Sequence, residues 1–126
     1  MITKVLIVDD NADMQTSIED CFSYDDDIQI VGLAHNKKLA IELLEIFKPN
    51  LILLSESFQG EQSLEIISQF KEIDPATCII IMLMFAPTTY RQQAINKGVH
   101  GFVQYTKIYS DLLPEIRKVL STIPCK

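Results

Sequence analysis

Short apolar runs alternate along this chain with longer stretches in which apolar residues recur every three or four positions. The runs are Val5-Leu6-Ile7-Val8, Ile28 to Leu33, Leu51 to Leu54, Ile79 to Met84 and Gly101 to Val103, each too short for a helix and mostly Val, Ile or Leu. Between them, Met14, Ile18, Cys21 and Phe22 share one helical face, and Ala40, Leu43, Leu44 and Phe47 share another, so both stretches predict amphipathic helices. A third helix is predicted from about Gln62 to Ile73 before the Asp74-Pro75 turn, a fourth from Thr88 to Lys97 ending at Gly98, and a fifth through Leu112, Ile116, Val119 and Leu120. Continuously apolar strands separated by helices indicate a parallel sheet covered on both faces, here with five βα units. No internal repeat, low-complexity tract or linker-like stretch interrupts the alternation, so residues 1–126 read as a single domain.

Composition narrows the class. A chain of 126 residues with 48% hydrophobic content is long enough to bury about two-thirds of its unfolded surface in one core. A net charge of −6 argues against a nucleic-acid-binding surface on this domain. The charge is uneven: residues 1–27 hold eight acids against Lys4, while residues 76–126 hold six bases against Asp111 and Glu115. Cys21, Cys78 and Cys125 are odd in number and fit no CxxC or Cys/His metal spacing, which predicts a reducing compartment and no disulfide. No signal-peptide core or run of membrane-spanning length is present, so a cytoplasmic protein without membrane contact is expected.

In an open doubly wound sheet, ligands bind outside the carboxyl ends of the strands. The residues that close the runs are Asp9 and Asp10, Ser55, Leu83 and Met84, and Gln104 with Tyr105. Two adjacent carboxylates on a rigid edge suit a hard cation such as Mg²⁺. An equally open reading makes Asp10 or Asn11 the cap of the first helix and leaves Asp9 solvated. Met82, Met84 and Phe85 read as core rather than a cofactor pocket, His35 and His100 are isolated from any metal-ligand spacing, and Asp25-Asp26-Asp27 reads as a solvated turn.

Four segments, "KVLIVDDNADM", "AIELLEIFKPNLILL", "LEIISQFKEIDPATCIIIM" and "AINKGVHGFV", follow one another in an order and spacing that resembles a bacterial response-regulator receiver domain of two-component signalling, from about Lys4 to Leu120. The resemblance implies a (βα)5 flavodoxin-like α/β fold with strand order 2-1-3-4-5. It also implies phosphoryl transfer from a histidine kinase to an aspartate closing the third strand, with Mg²⁺ between that aspartate and the acid pair. A Thr or Ser ending the fourth strand and a Lys ending the fifth would contact the phosphoryl group. The acid pair is present as Asp9 and Asp10, but Ser55 stands at the phosphoacceptor position, Leu83 at the hydroxyl position and Tyr105 at the lysine position, with Phe102 at the family's aromatic switch position.

These departures predict an atypical receiver, a pseudo-receiver without conventional aspartyl phosphorylation. A serine hydroxyl without a general base is a poor nucleophile. Mg²⁺ binding is expected to be weak, through Asp9, Asp10 and the backbone carbonyl of Ser57, and no cofactor is required. Repulsion between Asp9 and Asp10 is expected to raise the pKa of one of them, while Leu83 and Tyr105 together are expected to plug the site. A signalling module rather than an enzyme follows, acting on a protein partner: a histidine kinase, an output domain or another regulator. By resemblance, the fourth helix, fifth strand and fifth helix carry the output and homodimer surface, with Tyr90, Arg91, Ile108, Tyr109 and Arg117 as candidate contacts. "TKIYSDLLPEI" resembles receivers that precede a C-terminal helix-turn-helix domain, so the chain is expected to be the N-terminal part of a longer transcription regulator. The alternatives are an active phosphoacceptor using a non-standard residue such as Ser55, and a flavodoxin-like small-ligand binder. Carboxylates in "VDDNAD" repel phosphate and weigh against the second.

Overall fold

The apolar runs become strands and the periodic stretches become helices in strict alternation. In the computed structural model, which describes residues 2–56, 64–84 and 88–122, the order is β1 (Thr3–Val8), α1 (Ala12–Cys21), β2 (Ile28–Ala34), α2 (Lys37–Phe47), β3 (Leu51–Ser55), α3 (Leu64–Ile73), β4 (Cys78–Leu83), α4 (Thr88–Asn96), β5 (Gly101–Gln104), a 3-10 turn (Tyr105–Lys107) and α5 (Ile108–Thr122). The helix ends have identifiable chemistry. Asn11 caps α1 by accepting from the Asp13 N–H, and Asn36 caps α2 by accepting from the Leu39 N–H. Gly98 follows α4 at φ +109, the left-handed region that the predicted glycine stop requires. The end of α2 instead uses Lys48 at φ 45, a residue whose sequence context carries no such signal.

All five strands pair in parallel in the order β2-β1-β3-β4-β5, the doubly wound flavodoxin-like arrangement. Because successive side chains on a strand point to opposite faces, the sheet sorts its residues into two cores. Leu6, Val8, Ile52, Leu54, Ile79, Ile81 and Leu83 pack with residues of α2, α3 and α4. Val5, Ile7, Leu51, Leu53, Ile80, Met82 and Val103 pack with Ile18 of α1 and with Ile108, Leu112, Ile116 and Val119 of α5. Every residue of β3 and β4 is buried, which is why these two strands read as unbroken apolar runs.

Two local expectations need correction. Asp25 and Asp27 are not a simple solvated turn, since Arg117 of α5 reaches them at 3.0 and 2.7 Å. Met84 lies beyond β4 and is 58% exposed, so it is not core. Phe85, Ser57 and Cys125 lie outside the described residues.

Candidate functional site

The parallel register brings the carboxyl ends of β1, β3, β4 and β5 to one edge. Val8 pairs with Leu54, Leu54 with Ile81, Ser55 with Met82, and Met82 with Val103. Continuing each strand by the two-residue pleat places Asp9 after Ile7, Ser55 after Leu53, Met84 after Met82 and Tyr105 after Val103, all on the face that α1 and α5 cover. They line one cleft of about 350 Å³ together with Asp10, Asn11 and Met14.

At its floor, Asp9 is 1% and Ser55 2% exposed. The Asn11 N–H donates to Asp9 Oδ1 at 2.9 Å, and the Tyr105 hydroxyl donates to Asp9 Oδ2 at 3.0 Å. Ser55 lies beside the same phenol, so residues from β1, β3 and the end of β5 form one polar cluster. Burial is the main cause that pushes the Asp9 carboxyl up, with Asp10 adding to it, while the Asn11 N–H and the Tyr105 hydroxyl favour the ionised form. The expected raised carboxyl is therefore Asp9, but repulsion from Asp10 is the smaller cause. Burial chiefly pushes the Tyr105 phenol well above its ordinary range, which leaves it a proton donor.

Asp10 is exposed at the mouth, and Asn11 rather than Asp10 caps α1. The described residues hold no group of three or more His, Cys, Asp or Glu side chains arranged for a metal. The donor set for Mg²⁺ is thin: one carboxylate already engaged on both oxygens and a second at the rim.

Leu83 does not line the cleft. It is 1% exposed and packs in the opposite core with Phe102 against it, so of the two expected plug residues only Tyr105 lines the site. The reason is parity, since Leu83 follows Met82 by one position and points through the sheet. Phe102 is half-buried, with the Arg91 guanidinium 5.7 Å from its ring centre.

The expected partner surface divides. Tyr90 and Ile108 are 6% and 3% exposed and belong to the cores, so they are unavailable to a partner. Tyr109 is 68% exposed with its hydroxyl donating to Asp20 of α1 at 3.4 Å, and Arg117 is committed to Asp25 and Asp27 on that same side of α5. Sequence reading missed two residues. Glu56 accepts from the Met84 N–H at 2.7 Å beside the cleft, and the ring Nδ1 of His100 accepts from the Ile79 N–H at 3.2 Å at the other end of β4. Neither contact has a local sequence signal.

Known proteins share this fold and parts of this sequence. The family model described as response regulator receiver domain matches residues 5–116. The response regulator protein VraR of Staphylococcus saprophyticus is 30% identical over 118 residues, covering 94% of this chain and 56% of that protein. The fimbriae Z protein of Salmonella typhimurium is 26% identical over 118 residues, with the same coverages of 94% and 56%. The chain thus spans about half the length of these relatives. The crystal structure of a LuxR-family two-component response regulator from Aurantimonas superposes with a TM-score of 0.87 at 18% identity, covering 96% of this chain and 86% of that one. No helix among the described residues is long and apolar enough to cross a membrane.

Proposed function

The chain belongs to the response regulator receiver domain family, and from that premise we propose that it is a receiver that signals through protein contacts without conventional aspartyl phosphorylation. The observation that carries this reading is the Tyr105 hydroxyl seated 3.0 Å from the buried Asp9 carboxylate, in the cleft that Ser55 also lines. A phenol held there supplies no positive charge for an incoming phosphoryl group. It also satisfies the carboxylate oxygen that a cation would otherwise take. A neutral serine hydroxyl at position 55 is a poor nucleophile compared with a carboxylate.

Mg²⁺ binds weakly in this reading, with Asp10 as its accessible anionic ligand. The partner is a protein: a kinase, a fused output domain or a second regulator. The greater length of VraR and the fimbriae Z protein supports an additional segment in the full protein, and the LuxR-family likeness supports transcription regulation as its output. The surface offered is the α4–β5–α5 side, with Arg91 over Phe102 as its available contact, while the exposed Tyr109 donates to Asp20 of α1 at 3.4 Å and lies on the other side of α5. The test is incubation with acetyl phosphate and Mg²⁺ followed by intact-mass measurement, alongside amide spectra with and without beryllofluoride. Unchanged mass and unchanged spectra are expected. A phosphoryl increment that disappears in Ser55→Ala would overturn the reading.

A further inference from the structure

Beside the cleft, the ladder between β3 and β4 gains one more rung, closed by a side chain. The Glu56 N–H donates to the Met82 carbonyl at 3.0 Å, continuing the parallel pattern past Ser55. In a regular parallel ladder the next bond would run from the Met84 N–H to the Glu56 carbonyl. Here the Met84 N–H donates instead to Glu56 Oε1 at 2.7 Å. A single residue thus grips β4 on both sides of Leu83, once through its main chain and once through its carboxylate. The second bond is charge-assisted and short, the stronger class of hydrogen bond.

We propose that Glu56 is a positioning residue, a built-in clasp that holds the carboxyl end of β4 against β3 with no bound group required. Leu83, between the two gripped residues, is anchored in the α2–α4 core, and Phe102 packs against that same core. Holding Met82 and Met84 therefore holds Leu83, and with it the seat of the half-buried Phe102 ring under Arg91. The clasp sets the α4–β5 surface from inside the domain. It deepens the reading of a receiver that works in one arrangement, and the two ideas fail separately, because beryllofluoride tests the reading and amide exchange tests the clasp.

The experiment is amide exchange and relaxation dispersion on the wild-type chain, Glu56→Ala and Glu56→Gln, without phosphodonor or Mg²⁺, with folding checked by circular dichroism. In the wild type the Met84 amide is expected to exchange at least about tenfold more slowly than an unprotected amide. Glu56→Ala should lose that protection and introduce microsecond-to-millisecond exchange at Leu83 and Phe102. Glu56→Gln, which keeps an acceptor oxygen, should restore most of the protection. A wild-type Met84 amide exchanging at the unprotected rate would overturn the clasp, as would protection unaltered by Glu56→Ala.

Discussion

The Tyr105 hydroxyl and the Asp9 carboxylate depend on each other, and each makes a separate prediction. Tyr105→Phe keeps the ring and removes the donor, leaving the buried Asp9 with the Asn11 N–H alone. An unsatisfied buried acceptor costs about 1–3 kcal/mol, so denaturant unfolding at neutral pH should show a loss of that order. Because the hydroxyl bond favours the ionised carboxyl, its removal should also move the Asp9 titration further upward, readable from side-chain carboxyl shifts. The sign of the wild-type pH dependence follows from the same group. Asp9 has a folded-state pKa raised above that of an unfolded aspartate, near 3.9, so the folded state binds its proton more tightly. Its contribution is fully favourable below that unfolded value and is lost as pH rises through the folded one. Asp9→Asn should therefore be more stable than wild type at pH 7 and level with it near pH 3. Equal stability at pH 7 would mean that burial does not penalise the charge.

At the scale of elements, β4 and β5 are held at their amino ends by a histidine and along the sheet edge by a glutamate. The neutral His100 ring accepts from the Ile79 N–H, and burial, reinforced by Lys71, pushes its pKa down. A depressed histidine contributes stability that is complete well above the unfolded pKa of about 6.5 and is lost as pH falls toward the folded one. His100→Asn should flatten the decline between pH 7.5 and 5, a direction opposite to that of Asp9, so the two variants separate the effects. At the edge, Glu115 Oε2 accepts from the Phe102 N–H at 3.3 Å and lies 2.5 Å from where a Cβ on Gly101 would stand, with Val119 Cγ2 at 3.1 Å. Gly101→Ala should displace that carboxylate and cost roughly 1 kcal/mol. In a Glu115→Ala background the cost should shrink, a coupling that a double-mutant cycle measures. The elements themselves were legible in the sequence, because β3 and β4 are apolar on both faces and the helices keep one apolar stripe. Gly98 announced its turn, whereas Lys48 in the left-handed region had no residue-type signal. Arg117 with Asp27, Glu115 with Phe102 and His100 with Ile79 were illegible for a common reason: each joins residues distant in sequence that meet only once the strands pair and the helices pack.

Across the whole molecule, the sheet acts as a partition. The hydroxyl and carboxylate network of Asp9, Ser55 and Tyr105 lies on the α1/α5 face, while Leu83 and Phe102 lie on the other. The candidate site was legible as residue identities at strand ends, but the assignment of Leu83 to the cleft failed because adjacent strand positions face opposite ways. The side chains at positions 55 and 105 therefore do not share a core with Leu83 and Phe102. Ser55→Asp would place a third carboxylate beside Asp9 and Asp10, with no cation among the described residues that line the cleft. Like charges at that spacing repel, so without divalent cations the variant should unfold at lower temperature than wild type near neutral pH. The same carboxylate completes a harder oxygen site, and a ligand that binds only the folded state stabilises it by RT ln(1 + [L]/Kd), about 2.7 kcal/mol at a hundredfold excess over Kd. Millimolar Mg²⁺ should therefore raise the melting temperature of Ser55→Asp substantially and that of wild type little. Beryllofluoride should still leave the Phe102 resonances of Ser55→Asp in place, since Leu83 and Tyr105 are unchanged; a response should require Leu83→Thr and Tyr105→Lys as well. Thermal denaturation in chelator and in Mg²⁺ checks the first half, and an equal Mg²⁺ response in the two proteins would show that Asp9 and Asp10 do not share a cation with position 55.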